Sequence, residues 1–294
     1  MLKLYVEVDE PMITEKYIDL HTHSTFSDGT YTPTQLVQAA RDANLYAVAL
    51  TDHDCVDGVS EALEAGKTFG IEVIPGIELA AYYNNPSETE IHIVGLFLDY
   101  TNKDLLEKTK EIMYERVQRN IKMTARLSEL GFPMTYDELL AEAGRDSCSR
   151  AHYANLMVKK GYVKTKKEAF QKYISHGMPG FVPRILPTPQ ECIDLITKSG
   201  GVAVLAHPTL YGMNYNQIRI MAKELMGMGL KAIEVKYSTY KPEQEREITR
   251  IAAELGLKSS GGSDFHGLNK PDISIGTGLG RLRIPEEFLE KLRP

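Results

Sequence analysis

Short apolar runs alternate with amphipathic helical patterns along most of this 294-residue sequence. Such alternation is typical of βα units, in which a helix connects each strand to a parallel neighbour. Seven runs qualify as strands, namely YIDLH, YAVALTDHD, IEVIPGIEL, IHIVGLFLD, GGVAVLAHP, KAIEVKY and LKSSGGSDFH. Thr32 and Thr188 each precede a proline, which predicts a helix N-cap at both positions, and residues 56–69 have a helical pattern. The sequence therefore predicts an α/β fold with a mainly parallel sheet.

The alternation stops between the fourth and fifth runs. Residues 104–173 have only helical periodicity, including the long charged segment DLLEKTKEIMYERVQRNIKMTARLSELG. The stretch HGMPGFVPRILPTP that follows is rich in proline and glycine, which is typical of an ordered loop. We predict a helical subdomain over residues 101–184, inserted into a domain formed by residues 17–100 and 185–294, with residues 1–16 as an N-terminal extension.

Composition excludes several classes of protein. No run approaches the roughly 20 apolar residues of a membrane span, and the charged start MLKLYVEVDEPMITEK has no secretory apolar region. We therefore expect a cytoplasmic protein that does not bind membranes. Cys55, Cys148 and Cys192 lie far apart, which indicates reduced small residues rather than a disulfide framework or a thiolate metal site.

Charge is unevenly distributed along the chain. The net charge of −6 argues against binding to duplex DNA through bulk electrostatics. Residues 101–184, however, contain 16 basic and 10 acidic side chains, a net of +6, so the remainder of the chain is acidic. Solvated lysines of a helical segment explain most of this excess. A modest preference of the segment for anionic substrates is compatible with it.

Side chains that bind metals follow most of the predicted strands. They are His21, His23 and Asp28 after the first strand, His53 after the second, Glu78 after the third, His207 after the fifth, and Asp264 and His266 after the seventh. His92 is the exception, because it lies early in the fourth run. Each residue alone would be an ordinary cap or loop residue, but the C-terminal strand ends of parallel barrels form active sites. His152 and His176 lie in the helical segment and are interpreted as structural or surface residues.

This ligand set contains six imidazoles, three carboxylates and no thiolate. That mixture favours Mn²⁺, Fe²⁺ or Zn²⁺ in a catalytic site over a structural zinc site. Nine ligands exceed the needs of one ion and suit two or three divalent metal ions. Asp19, two residues before His21, has two interpretations: it orients a ligand imidazole, or it is a buried hydrogen-bond acceptor at the strand end.

Six segments, in this order, resemble the PHP (polymerase and histidinol phosphatase) family of metal-dependent phosphoesterases. They are DLHTHSTFSDG, TDHD, PGIE, HIVG, AHP and GSDFH, and the resemblance extends over nearly the whole chain from about Tyr17. It implies a distorted (β/α)7 barrel with the helical subdomain inserted between strands four and five. The segments SRAHYANLMVKKGY and ISHGMPGFVP resemble the insertion found in the branch of nucleoside 3′,5′-bisphosphate phosphatases and 5′-3′ exoribonucleases.

The resemblance also implies roles for individual residues. One metal ion would be bound by His21, His23, Glu78 and Asp264, a second by Glu78, His92 and His207, and a third by Asp28, His53 and His266. Glu78, His207 and Asp264 would be catalytic. Ser149, Arg150 and Arg184 are expected to bind substrate, with Arg150 as the main phosphate ligand because a guanidinium contacts two phosphate oxygens at once. A surface ion pair is the alternative for both arginines.

The expected function is hydrolysis of nucleotide phosphate esters by a metal-bound hydroxide. The substrates would be 3′,5′-bisphosphonucleotides, short RNA with a 5′-phosphate, or both, and no side chain is evident as a general acid. An L-histidinol-phosphate phosphatase is the alternative enzyme, which the insertion segments disfavour. A non-catalytic metal-binding module that supports a polymerase or regulatory partner is the alternative of another class. All nine ligand positions carry competent residues, which favours catalysis. The oligomeric state stays open.

Overall fold

A computed structural model describes residues 15–84, 89–144 and 148–294. The predicted N-terminal extension, residues 1–16, lies almost entirely outside the described residues. Seven strands form one sheet in chain order. They are β1 (Ile18–Asp19), β2 (Ala47–Leu50), β3 (Glu72–Tyr83), β4 (Thr89–Leu96), β5 (Val202–Leu205), β6 (Ala232–Tyr237) and β7 (Lys258–Gly262). All seven predicted strands are therefore present.

The sheet curves until its last strand meets its first. The Leu20 N–H donates to the Gly261 carbonyl (3.2 Å), and the Asp264 N–H donates to the His21 carbonyl (2.8 Å). These bonds link β7 to β1 and nearly close the cylinder. The predicted distorted (β/α)7 barrel, with helices inserted between strands four and five, is confirmed.

Strand direction changes once around the barrel. β4 runs antiparallel to both β3 and β5, whereas every other neighbouring pair is parallel. The beginning of β4 therefore lies at the same edge of the barrel as the C-terminal ends of the parallel strands. This reversal explains why His92, early in its run, belongs with residues that follow the other strands.

Helices surround the barrel and form the insertion. They are α1 (Pro33–Asp42), α2 (Val59–Phe69), α3 (Lys103–Glu129), α4 (Tyr136–Ala143), α5 (Arg150–Lys159), α6 (Lys166–Ala169), α7 (Pro189–Lys198), α8 (Tyr215–Gly227), α9 (Pro242–Leu255) and α10 (Glu286–Leu292). Thr32 and Thr188 cap α1 and α7 as predicted, each with a reciprocal capping box and a proline in the first turn. α2 begins at Val59 rather than at residue 56, because a turn closed by the Val59 N–H and the Val56 carbonyl precedes it. No helix in the described ranges has the length and apolar character needed to cross a bilayer.

The insertion has an apolar core of its own. Residues of α3, α4 and α5, including Met123, Leu139 and Tyr153, form a buried cluster separate from the barrel clusters. The barrel strands β2 and β5 are buried at every position because helices cover the outer face of the sheet. The boundaries of the barrel domain (17–100 and 185–294) and of the insertion (101–184) stay a prediction, which this separate core supports.

Gly262 stands where β7 approaches β1 most closely. A Cβ atom at this position would lie 2.1 Å from the Cβ of His21 and 2.6 Å from its backbone nitrogen. Gly262→Ala should therefore lower the free energy of unfolding by about 2–4 kcal/mol, measured by urea denaturation. Gly227→Ala is the matched control, because no atom lies within 4 Å of its added Cβ and alanine favours the helix. Equal stability of the two variants would show that the β7–β1 contact widens freely.

Candidate active site

The nine predicted ligand residues lie in one cluster at the edge of the barrel. The described residues contain four overlapping groups in which one ligand atom per residue lies within 4.8 Å of the others. The groups are His23, Asp28, His53 and His266; His21, Glu78 and His207; His21, His23 and Asp264; and His53, Glu78 and His92. Every predicted ligand belongs to at least one group, and His21, His23, His53 and Glu78 each belong to two.

Glu78 is the centre of this cluster. Its Oε1 lies 2.8 Å from His92 Nδ1 and 3.0 Å from His207 Nε2. Its Oε2 lies 2.8 Å from His53 Nδ1. Burial alone would raise the pKa of this fully buried carboxyl, but the surrounding imidazoles, His53 first among them, hold the pKa well below its usual range. Both oxygens of one carboxylate thus face separate sets of ligand atoms.

Beside Glu78, His21 and His23 point at each other. Their Nε2 atoms are 3.1 Å apart, and His23 Nε2 is 3.2 Å from Asp264 Oδ1. Both imidazoles are fully buried. Two nitrogens and a carboxylate oxygen that converge on one point in the interior have the arrangement of a metal site.

Three atoms of the cluster are buried without a hydrogen bond of acceptable geometry. Among the described residues they are Asp28 Oδ1, Glu78 Oε2 and His207 Nδ1. Glu78 Oε2 lies 2.8 Å from His53 Nδ1 and Asp28 Oδ1 lies 3.0 Å from His266 Nε2, so these groups are brought together without well-oriented hydrogen bonds. Imidazole and carboxylate donors of this kind fit divalent metal ions.

Glu234 orients part of the ligand set. Its Oε1 lies 2.8 Å from His21 Nδ1, and its Oε2 accepts the His207 backbone N–H at 2.7 Å. The contact leaves His21 Nε2 directed into the cluster. Glu234 was not predicted as a site residue, although a glutamate within the apolar run KAIEVKY was a signal.

Among the described residues, the Asp19 carboxylate accepts hydrogen bonds from backbone N–H groups and none from an imidazole. Its carboxylate accepts the backbone N–H groups of Ser263 and Gly276, both at 2.8 Å. Burial raises the pKa of Asp19 to about 6, although these hydrogen bonds lower it. Of its two predicted interpretations, the structure favours the acceptor at the strand end.

A cavity of about 650 Å³ separates the cluster from the insertion. Its barrel side includes Asp28, His53, His92 and His266. Its opposite side carries four arginines, named here the roof arginines: Arg116, Arg119, Arg150 and Arg184. All three predicted substrate residues, Ser149, Arg150 and Arg184, line the cavity. Arg116 and Arg119 were missed, because they lie in a charged helix whose inward face the sequence does not reveal.

Asp54 connects two roof arginines to the barrel. Its Oδ2 pairs with Arg116 and, at 2.8 Å, with Arg184, while its Oδ1 accepts the Ala80 N–H at 3.2 Å. Burial alone would raise the pKa of Asp54, but Arg184 and Arg116 hold it far below its usual range. The ion pair of Arg184 is thus buried and joins the insertion to the barrel, so it differs from the surface ion pair considered above.

The other two roof arginines are less fully neutralised. Arg119 has no carboxylate partner in the part of the chain that the structure describes, and its buried Nε makes no hydrogen bond. Burial, together with the neighbouring Arg116, lowers the pKa of Arg119 to about 9. Arg150 has its nearest carboxylate oxygen, Glu90 Oε2, at 3.8 Å. Arg119 is thus a buried cation without a matching anion, and Arg150 is a half-buried cation with a distant partner; two such groups at a cavity wall indicate an anionic ligand.

Ser149 and two histidines complete the insertion side. The Ser149 hydroxyl caps α5 by accepting the Ala151 N–H, and His152 Nδ1 accepts the Ser149 N–H, so His152 is structural. His176, interpreted above as a structural or surface residue, is exposed; it also lines the cavity and packs edge-on against Phe181, with ring centroids 5.2 Å apart. The Pro/Gly-rich loop carries both rings into the site.

The chain is similar to several known proteins in sequence and in fold. The model of the PHP domain matches residues 19–180. A 5′-3′ exoribonuclease of Haemophilus influenzae is 35% identical over 86% of this chain and 91% of that protein. A 3′,5′-nucleoside bisphosphate phosphatase of Chromobacterium violaceum is 32% identical over 88% of this chain and 90% of that protein. The solved structure of a candidate metal-dependent phosphoesterase from Bifidobacterium adolescentis is 31% identical, with a TM-score of 0.82 over 94% of this chain and 95% of that one.

Proposed function

This chain belongs to the PHP-domain family, and from that membership we propose that it hydrolyses phosphate esters of 3′,5′-bisphosphonucleotides, of 5′-phosphorylated RNA ends, or of both. In coarser terms it is a metal-dependent hydrolase of nucleotide phosphate esters.

One observation carries the finer proposal: the cluster of nine metal-binding side chains forms one wall of a cavity through Asp28, His53, His92 and His266, and four arginines line the opposite wall. Such a cavity suits a substrate with one phosphate to cleave and a further phosphate to hold.

We further propose which residues bind the metal ions. The sets are His21, His23, Glu78 and Asp264; Glu78, His92 and His207; and Asp28, His53 and His266, with Mn²⁺, Fe²⁺ or Zn²⁺ as two or three bound ions. The two oxygens of Glu78 face different imidazoles, His92 and His207 on one side and His53 on the other, which supports its assignment as a bridge. Bound divalent ions would neutralise charge on the phosphoryl oxygens and supply a nucleophilic water at neutral pH.

The protein's own residues would orient the components. Glu234 holds the His21 ring, so that its second nitrogen faces the cluster. Asp54 holds Arg116 and Arg184 at the cavity wall, which fixes two cations before substrate arrives. Arg150 and Arg119, which have weaker or no carboxylate partners, are the guanidinium groups most available to phosphate.

The test is an assay of the protein reconstituted separately with Mn²⁺, Fe²⁺ and Zn²⁺. The substrates are 3′,5′-bisphosphoadenosine, short RNA with a 5′-phosphate, and histidinol phosphate. We expect release of phosphate or mononucleotide from the first two and little from the third. Preferred hydrolysis of histidinol phosphate would overturn the proposal, and inactivity with all substrates and metals would support a non-catalytic module.

Replacing Arg150 with alanine tests its role as a phosphate ligand. We expect kcat/KM to fall by about 10- to 100-fold, because a charge-assisted contact contributes roughly 1.5–3 kcal/mol. Metal content should not change, since Arg150 belongs to none of the ligand groups. Lys159→Ala is the control, as it removes an exposed cation from the same helix. Wild-type kinetics for Arg150→Ala would show that Arg150 serves only its ion pair with Glu90 and does not bind substrate.

A further inference from the structure

Lys270 is a cation at the metal cluster that the proposed mechanism does not yet use. It follows the short turn Gly267–Asn269, just after the candidate ligands Asp264 and His266. Its Nζ lies 2.5 Å from Asp264 Oδ2, and its side chain lines the same cavity as the roof arginines. It is therefore a fifth cation of the cavity, contributed by the barrel rather than by the insertion.

The turn before Lys270 is fastened to the loop that carries Asp28. The Leu268 N–H donates to Thr30 Oγ1, and the Asn269 side-chain amide donates to the Asp28 carbonyl, both at 2.8 Å. Gly267 has a φ of +60°, and a Cβ there would lie 2.2 Å from Thr30 Oγ1. This contact leaves room only for glycine and fixes the start of the Lys270 side chain.

The carboxylate of Asp264 is divided between two environments. Oδ1 lies 3.2 Å from His23 Nε2, within the candidate metal cluster. Oδ2 accepts the Tyr237 hydroxyl at 2.6 Å and the Lys270 ammonium. Among the described residues Asp264 is the only hydrogen-bond partner of that ammonium, which has three donors. Two N–H groups thus stay available beside the cluster.

We infer that Lys270 is a further catalytic residue, whose ammonium contacts an oxygen of the reacting phosphoryl group from the barrel side. The inference rests on the proposed phosphoesterase function. Phosphoryl transfer spreads negative charge over the oxygens around phosphorus, and fixed cations stabilise that charge. The roof arginines approach the same cavity from the opposite wall, so the phosphoryl group lies between cations of both domains. Its bond to Asp264 keeps Lys270 in place.

Replacement of Tyr237 distinguishes phosphate binding by Lys270 from a role in which Lys270 only positions Asp264. If Lys270 only positioned Asp264, its loss would resemble the loss of Tyr237, because both donate to the same oxygen. Tyr237→Phe removes that hydrogen bond and leaves every cation of the cavity in place. Lys270→Met removes both a hydrogen bond and a positive charge, and Lys270→Arg retains the charge.

The experiment compares these three variants with wild type, and with Lys67→Met as an exposed control remote from the cavity. Elemental analysis measures metal per chain, calorimetry measures binding of inorganic phosphate to the metal-loaded protein, and kinetics gives kcat/KM. For Lys270→Met we expect phosphate to bind about tenfold more weakly and kcat/KM to fall about 10- to 100-fold at unchanged metal content. Lys270→Arg should recover part of both, and Tyr237→Phe should bind phosphate like wild type.

Three outcomes would overturn the inference. The first is wild-type phosphate affinity in Lys270→Met. The second is an equal loss of phosphate affinity in Lys270→Met and Tyr237→Phe. The third is a loss of metal from Lys270→Met that by itself accounts for the lower phosphate affinity and the lower kcat/KM. The phosphate titration does not depend on turnover. If wild-type protein hydrolyses no nucleotide, the proposed function fails, and the titration still decides whether Lys270 binds phosphate.

Discussion

Replacing Glu78 with glutamine should lower kcat/KM by at least about 1,000-fold, which corresponds to roughly 4 kcal/mol of transition-state stabilisation. Glutamine has nearly the same shape as glutamate but is neutral, and only its oxygen, not its amide nitrogen, can accept a hydrogen bond or bind a metal ion. Since the oxygens of Glu78 face His92 and His207 on one side and His53 on the other, one substitution should weaken two sets of ligands together. Elemental analysis should show fewer metal ions per chain.

The control for Glu78→Gln is Glu64→Gln, which changes an exposed glutamate away from the cluster. It should retain full activity and metal content. A Glu78→Gln protein with wild-type metal content and wild-type kcat/KM would contradict the assignment of Glu78 as a bridge. Loss of activity with all metal retained would instead show that Glu78 is needed for the reaction but not for metal binding.

Substrates with two phosphates should be preferred by about 100-fold in kcat/KM over simple monophosphates. The roof arginines offer several cations beyond those needed at one reacting phosphate, and Arg119 has no carboxylate partner in the described chain. A second phosphate supplies the missing anion. The comparison is 3′,5′-bisphosphoadenosine against 5′-AMP and 3′-AMP at two ionic strengths. The preference should shrink with added salt, because salt screens electrostatic contacts.

Arg119→Met tests whether the Arg119 side chain causes the preference for substrates with two phosphates. Methionine fills a similar volume without charge, so the variant should discriminate less between bisphosphate and monophosphate. Lys122→Met, in the same helix, is the control because Lys122 is exposed and does not line the cavity. Equal efficiency of wild-type protein with all three nucleotides would show that the insertion covers the site without selecting the substrate.

Local sequence patterns predicted an α/β fold with a mainly parallel sheet and identified the nine metal-binding residues, whereas the distorted barrel was implied by the family resemblance. Strand-end positions are visible in sequence, since an apolar run ends at a polar residue such as His53 or His207. Strand direction is not visible, which made His92 an exception until the reversal of β4 was known. Glu234 is separated from His21 by more than 200 residues, so its contact follows from closure of the sheet rather than from any local pattern.

The arginines were harder to predict for a different reason. α3 buries charged and apolar side chains on the same inward face, including Arg116, Arg119 and Met123. A helical period assigns charged residues to solvent by default, and only the position of the barrel below α3 reverses that assignment for two of them. Arg150 was identified because it lies in a segment that resembles the insertion of a known branch of the family.

The Asp54 ion pairs restrict how far the insertion can separate from the barrel. Arg116 lies in the first helix of the insertion and Arg184 in the returning loop, and both are tied to one barrel carboxylate. Separating them would leave that buried charge unpaired at a cost of about 3–5 kcal/mol, so fewer than about one molecule in a hundred would be open in this way. The insertion is thus tied to the barrel at two points that lie far apart in its sequence, and opening it as a hinged lid would require both ion pairs to break.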